Sequence, residues 1–158
     1  MVYQYLDYAY LDEDALADHD LPDEAPMRLE SGIDRLVNSD FGGWHGSACR
    51  YFVRTFIAPE GCKMYLNLGR TGQLKVWLDG REQFRSDALH SWALGESDFI
   101  FLTGTGKTQR LVVKLVNPTD EAALAIYFLH DKAPDPKHGV SYLVDSLVDV
   151  VPTVGYVR

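Results

Sequence analysis

The 158-residue chain has only two cysteines, no long apolar run and a single basic side chain among its first thirty residues. Each shortage removes a class of protein. Cys49 and Cys62 are too few for a disulfide framework or a zinc site made of thiolates. No apolar stretch approaches the roughly 20 residues of a membrane span, and Met1 to Asp14 lack the basic start and apolar block of a signal peptide. A soluble chain is expected, with its compartment left open. Residues 1–30 hold Asp7, Asp12, Glu13, Asp14, Asp18, Asp20, Asp23, Glu24 and Glu30 against Arg28 alone, so the whole net charge of −8 resides there. An acidic tail on a neutral body repels phosphate backbones, which argues against nucleic acid and anionic membranes as partners. There is no repeat and no long Pro, Gly or Ser tract. At this length, one domain over residues 1–158 is the expectation.

What is present is alternation with a period of two, in short runs separated by turn residues, as the half-buried strands of a sandwich require. It predicts strands at Ala48–Ile57, Cys62–Gly69, Gln73–Leu78, Arg81–Arg85, Asp98–Leu102, Gln109–Asn117 and Ala122–His130. Between them stand Pro59-Glu60-Gly61, Arg70-Thr71-Gly72, Asp79-Gly80, Gly104-Thr105-Gly106 and Asn117-Pro118-Thr119-Asp120. Gly supplies positive φ, Pro presets φ, and Asp-Gly suits a two-residue type I′ hairpin. The fold class expected is an all-β antiparallel sandwich of jelly-roll type, with at most one or two short helices in the N-terminal third. In the flanks, Val2–Tyr10 reads as a strand, Asp12–Glu24 as a solvated acidic loop and Glu30–Val37 as a short helix. Gly139–Val151 alternates and is expected to close a sheet.

The same parity sorts faces. Cys62, Met64, Leu66 and Leu68 share the core side, as do Leu74, Val76 and Leu78, whereas Lys63, Tyr65, Asn67, Lys75 and Trp77 point away. Leu111, Val113 and Leu115 face away from Lys114. If 48–57 and 62–69 form a hairpin, Cys49 lies about eight residues along the strand from Cys62, far beyond disulfide reach at ~3.3 Å per residue. Two unbridged, core-facing thiols are expected.

Chemical motifs are sparse. Gly104-Thr105-Gly106-Lys107-Thr108 has the tail of a phosphate-binding loop, but Phe101 stands where its first glycine belongs and no helical pattern follows, so it reads as a hairpin loop. Asp12, Asp14, Asp18 and Asp20 hint at calcium, but Leu16 occupies the third ligand position and no loop glycine follows. The histidines 19, 45, 90, 130 and 138 show neither zinc spacing nor a Gly-x-Ser-x-Gly partner. The abundant acids contain carboxylate pairs by chance alone, so they do not single out glycoside hydrolysis. No catalytic residue is predicted. If consecutive strands from Ala48 alternate in direction, the segments before 48, around 70–73, 86–97 and 118–121 emerge at one end. That end gathers Trp44, His45, Arg70, His90 and Trp92. Aromatic faces that pack on a pyranose, with polar groups for its hydroxyls, are the chemistry of sugar recognition. Plugging the end of the sandwich is the competing role for the two tryptophans. A second candidate is the non-core face bearing Tyr65, Lys75 and Trp77.

A longer string carries a family resemblance. Trp44, Gly46, Tyr51, Phe52, Arg54 and Phe56 are followed by Leu66, Leu68 and Gly69, then by Val76-Trp77-Leu78-Asp79-Gly80 and by Leu111-Val112-Val113-Lys114-Leu115-Val116-Asn117. Over about residues 44–130 the chain resembles galactose-binding-like jelly rolls, which include the sugar-binding domains of β-galactosidase-type glycoside hydrolases. It departs from their pattern at Asp79, where Asn is usual, and at Gly106-Lys107-Thr108-Gln109. The resemblance implies a non-catalytic carbohydrate-binding or accessory module of bacterial glycoside hydrolases, with catalytic carboxylates elsewhere and no cofactor. A structural calcium, with no ligands assignable here, is the one ion it allows. The expected partner is a carbohydrate or an adjoining domain or subunit. The alternative is a structural, protein-interaction sandwich with no sugar ligand.

Overall fold

The computed structural model describes residues 6–18, 27–30, 36–37, 48–87, 98–117, 123–130 and 147–152. Its elements are α1 (Glu13–Asp18), β1 (Met27–Glu30), β2 (Leu36–Val37), β3 (Ala48–Ile57), β4 (Lys63–Arg70), β5 (Gln73–Leu78), β6 (Arg81–Ser86), β7 (Asp98–Thr103), β8 (Thr108–Asn117), β9 (Ala123–His130) and β10 (Leu147–Pro152). Every pairing is antiparallel, in a six-stranded sheet ordered β1-β10-β3-β8-β5-β6 and a four-stranded sheet ordered β2-β9-β4-β7. With the β5–β6 hairpin set aside, the remaining eight strands run first-eighth-third-sixth in one sheet and second-seventh-fourth-fifth in the other. That is the jelly-roll wrap, in which the chain crosses between sheets at nearly every turn. The chain is therefore an all-β sandwich with a hairpin added at one edge, and strands from both flanks enter its sheets.

Alternation produces the core. Phe52, Phe56, Leu66, Leu68, Leu74, Val76, Leu111, Val113, Leu115 and Leu124 are each at most 1% exposed and form one cluster between the sheets. β3 and β8 are central strands and are buried on both faces. Their outer side forms a second cluster of Cys49, Tyr51, Val53, Trp77, Val112 and Val116 with Leu6 and Leu16 of the N-terminal segment.

Three expectations in the flanks are corrected. Residues 6–10 form turns and bends, not a strand, and 13–18 are helix rather than loop. Leu36–Val37 pairs with β9 as strand rather than helix. The C-terminal run does close a sheet: β10 lies between β1 and β3. Within the core, 48–57 and 63–70 are not a hairpin but belong to different sheets, because the 58–62 turn crosses the sandwich. The 104–107 loop crosses it too. These two corners are tied by Gly61 N to Gly104 O (2.9 Å), Gly104 N to Cys62 O (2.8 Å) and Gly106 N to Ala58 O (2.8 Å). The corners approach so closely that a Cβ on Gly104 would meet Pro59 O at 2.1 Å. Asp79-Gly80 is a true two-residue hairpin, with φ of 49° and 81° as a type I′ turn requires. Asp79 also answers its departure from the Asn pattern: one carboxylate oxygen accepts Arg110 N (2.8 Å) and the other accepts Gln109 Nε2 (3.1 Å).

Candidate functional site

The strand ends at Ala48, Arg70, Gln73, Ser86, Asp98, Asn117 and Ala123 converge at one end of the sandwich, as the registers of β3 with β8, β5 with β8 and β6, and β4 with β7 and β9 require. Of the five residues expected there, Trp44, His45, His90 and Trp92 lie outside the described residues. Arg70 is described, and it is fully buried. Its guanidinium donates to Gly72 O (2.5 Å), which fixes the turn between β4 and β5 from within. The same turn is tied to β9 through Thr71 N to Ala123 O (3.1 Å) and Ala123 N to Thr71 Oγ1 (3.0 Å). Gln73 Nε2 reaches Asp87 O at 2.9 Å. Gly72, at φ 71°, passes so near β8 that a Cβ would lie 2.3 Å from Val116 O. The described part of this end is a rigid frame, and Arg70 acts as a positioning residue in it.

The second candidate, a face shared by Tyr65, Lys75 and Trp77, does not exist as one surface. Tyr65 belongs to β4 in the four-stranded sheet, and the other two belong to β5 in the six-stranded sheet. Trp77 is only 8% exposed and packs in the cluster beneath the N-terminal segment. Lys75 sits 5.0 Å over its ring and 3.3 Å from Glu82.

Beside Trp77 on that outer face is a polar cluster that sequence reading missed. Lys114 is fully buried, and its three ammonium hydrogens have three acceptors: Leu6 O (2.7 Å), Tyr8 O (2.5 Å) and Glu13 Oε2 (2.7 Å). Glu13 Oε2 also accepts the Tyr51 hydroxyl at 2.5 Å. The Tyr10 and Tyr51 rings lie 5.4 and 5.5 Å from Lys114 Nζ, within cation-π range. Arg110 Nε adds a bond to Leu16 O (2.8 Å), and Arg85 pairs with Asp7 and Asp87. This geometry explains why 6–10 is not a strand: the carbonyls of Leu6 and Tyr8 turn to an ammonium instead of a neighbouring ladder. It also fits the helix, one of whose first N–H groups is capped by Asp12 Oδ1 accepting Ala15 N at 3.1 Å, with Glu13 and Asp14 at the positive end of its dipole.

The cluster anchors residues 6–18, an N-terminal strap, to the outer face of the six-stranded sheet. Burial pushes the Cys49 thiol up to about 12 and the Tyr51 phenol far above its usual range. Both stay protonated near neutrality, and a thiol in that state is a poor nucleophile. Cys49 and Cys62 are not bridged, as expected, but only Cys49 is fully buried. Among the described residues no three His, Cys, Asp or Glu side chains converge as a cation's ligands would, so no calcium site is assigned. Among the same residues no helix is long and apolar enough to cross a membrane. No family model and no curated protein matches the chain.

Proposed function

We propose that the chain is a non-catalytic carbohydrate-binding or accessory module of a carbohydrate-active enzyme system. Its sugar would be taken at the end where the segments around 44–45 and 86–92 leave the strands. The observation that supports this reading most is the jelly-roll wrap itself, the architecture that the 44–130 resemblance implies, with its strand ends converging on that side. Trp44 and Trp92 would supply ring faces for a pyranose, and His45 and His90 would bond its hydroxyls. Arg70 would contribute by fixing the turn between β4 and β5, not by touching sugar. A glycan array followed by titration calorimetry tests the reading. Binding to a defined glycan, lost or weakened at least about tenfold in Trp44→Ala or Trp92→Ala, is expected. No binding to any glycan, or binding unaltered in both variants, would sink it.

A second reading, an interaction module without a sugar ligand, draws support from the burial of Arg70 and from Phe101, which is 78% exposed on a sheet edge. It predicts a silent glycan array and a protein partner.

A further inference from the structure

Residues 6–18 form no strand and belong to neither sheet, so they are not part of the ladders that hold the sandwich together. Side chains of the six-stranded sheet hold them instead. Lys114 takes the carbonyls of Leu6 and Tyr8 and the Glu13 carboxylate, Tyr51 donates to Glu13, Arg110 takes the carbonyl of Leu16, and Arg85 pairs with Asp7. Leu6 and Leu16 are the buried apolar anchors, in one cluster with Cys49, Tyr51, Val53, Trp77, Val112 and Val116. None of these residues belongs to the cluster between the sheets, which includes Phe52, Leu66, Leu74 and Val113. The two clusters are therefore separate cores. A segment held by few buried apolar side chains opens at a lower free energy than the sheets beneath it.

We propose that residues 6–18 are an autoinhibitory latch, which occupies in cis a docking face for an acidic amphipathic segment and opens as a unit while the sandwich stays folded. The resident segment defines what the face accepts. Its two carboxylates, Asp7 and Glu13, meet Arg85 of β6 and Lys114 of β8, and its apolar side chains, Leu6 and Leu16, bracket them in sequence. The sheet presents these cations and the aromatic surface of Tyr51 and Trp77 from β3, β5, β6 and β8, which remain paired when the latch lifts. Opening then exposes an apolar patch and a lysine parted from its carboxylate, both of which a segment of the same chemistry covers again. Such a segment binds only the open state and so shifts the population toward it, with an apparent affinity reduced by the fraction of time the latch is open. The inference concerns the outer face of the six-stranded sheet and holds whether or not a sugar binds at the strand ends.

Alkylation of Cys49 by N-ethylmaleimide in the full chain tests it. Cys49 has no exposure and lies in the cluster that the latch completes, and peptide mass spectrometry reads it apart from Cys62. Below the unfolding transition its rate should depend only weakly on urea, because opening the latch exposes little surface. The rate should rise about tenfold in Glu13→Gln and stay within about twofold of the parent in Leu66→Ala, which weakens the inter-sheet cluster alone. Leu16→Lys puts a cation in place of an apolar anchor and should hold the latch open with the β-sheet far-UV signal retained. In that variant a synthetic peptide of residues 6–18, at up to about 1 mM, should slow alkylation at least about tenfold, and the same peptide carrying Glu13→Gln should protect less. Alkylation that has the full urea dependence of global unfolding, and that rises in Leu66→Ala in step with its lost stability, would overturn the independent latch. A Leu16→Lys chain left unprotected by the peptide, or protected equally by both peptides, would overturn the docking face.

Discussion

Replacing Lys114 by Met should be the most damaging single change on the outer face of the six-stranded sheet. The side chain has no exposure, and its ammonium fills three acceptor positions on a segment more than one hundred residues away in sequence. Methionine keeps most of the stem that packs between Tyr10 and Tyr51 but returns nothing to Leu6 O, Tyr8 O or Glu13. Breaking a buried ion pair by removing one partner costs about 3–5 kcal/mol. The lower end applies here, since the Glu13 side chain is 15% exposed and still accepts the Tyr51 hydroxyl. A loss of about 3 kcal/mol corresponds to roughly 6–12 °C in melting temperature for a chain of this size. By contrast, Lys75 pairs with a Glu82 side chain that is 48% exposed, and Lys75→Met should cost less than about 1 kcal/mol.

Urea unfolding followed by tryptophan fluorescence and far-UV circular dichroism measures both variants, and a double-mutant cycle isolates the pair. Glu13→Gln alone keeps an acceptor and should cost about 1–2 kcal/mol. In the Lys114→Met background the same change removes a stranded carboxylate and should cost almost nothing, a coupling of about 1 kcal/mol or more. A Lys114→Met variant within 1 kcal/mol of the parent, or strictly additive effects, would refute the role of this ion pair as the anchor of the N-terminal strap.

Other expectations are as direct. Gly72→Ala, with φ of 71° and Val116 O in the path of a Cβ, should cost about 2–3 kcal/mol, whereas Gly61→Ala, at φ 77° with open space around it, should cost about 1 kcal/mol; equal effects would remove the steric argument. Asp79→Asn should cost no more than about 1 kcal/mol and Asp79→Ala about 2, because Asn keeps one oxygen for Arg110 N and can donate its amide to Gln109 once the Gln109 amide flips, whereas Ala offers neither group a partner. Stability should fall as pH rises above 9.0: the unfolded chain then releases the Cys49 proton while the folded one holds it until about 12, a slope of about 1.4 kcal/mol per pH unit. Tyr51, also raised, adds to the fall above its ordinary value of 10.0. Cys49→Ala should flatten the curve between 9 and 10, and an unchanged slope would show that Cys49 is not responsible.

The strands are legible because a half-buried strand writes its parity into sequence: Ala48–Ile57 and Gln73–Leu78 are strands at the predicted bounds, four others differ by a residue at one end, and the strand expected at Cys62–Gly69 is shifted by one residue to Lys63–Arg70. Which sheet each strand joins was not legible. A turn such as Pro59-Glu60-Gly61 has the same chemistry whether it reverses the chain within a sheet or carries it across the sandwich, and only the packing of the two layers decides. Nor was the burial of Lys114. Its position on the far side from Leu111, Val113 and Leu115 was read correctly, but a face that points away from one core can be covered by a distant segment and become part of another. The one signal available was composition: on that face valines 112 and 116, Cys49, Tyr51 and Trp77 are too apolar a set for a solvated sheet.

That cover also changes the meaning of the charge asymmetry. The acidity of the first thirty residues reads, in isolation, as a tail that selects against phosphate. In the fold, Asp7 meets Arg85, Glu13 meets Lys114, Asp12 caps α1, and the carbonyl of Leu16 takes Arg110. The basic residues that answer this segment, Arg85, Lys114 and Arg110, are carried by β6 and β8, on the outer side of the six-stranded sheet. Separation of sign along the chain thus encodes a long-range seam: it holds an otherwise ladderless segment in place by orienting carbonyls and carboxylates toward cations that the sheet presents. A segment with the same apolar residues but neutral side chains would still bury Leu6 and Leu16. It would keep the Leu6 and Tyr8 carbonyls for Lys114 but lose the Glu13 and Asp7 carboxylates, and with them the charged contacts to Lys114 and Arg85 that favour this register over others, since hydrophobic contact is non-directional.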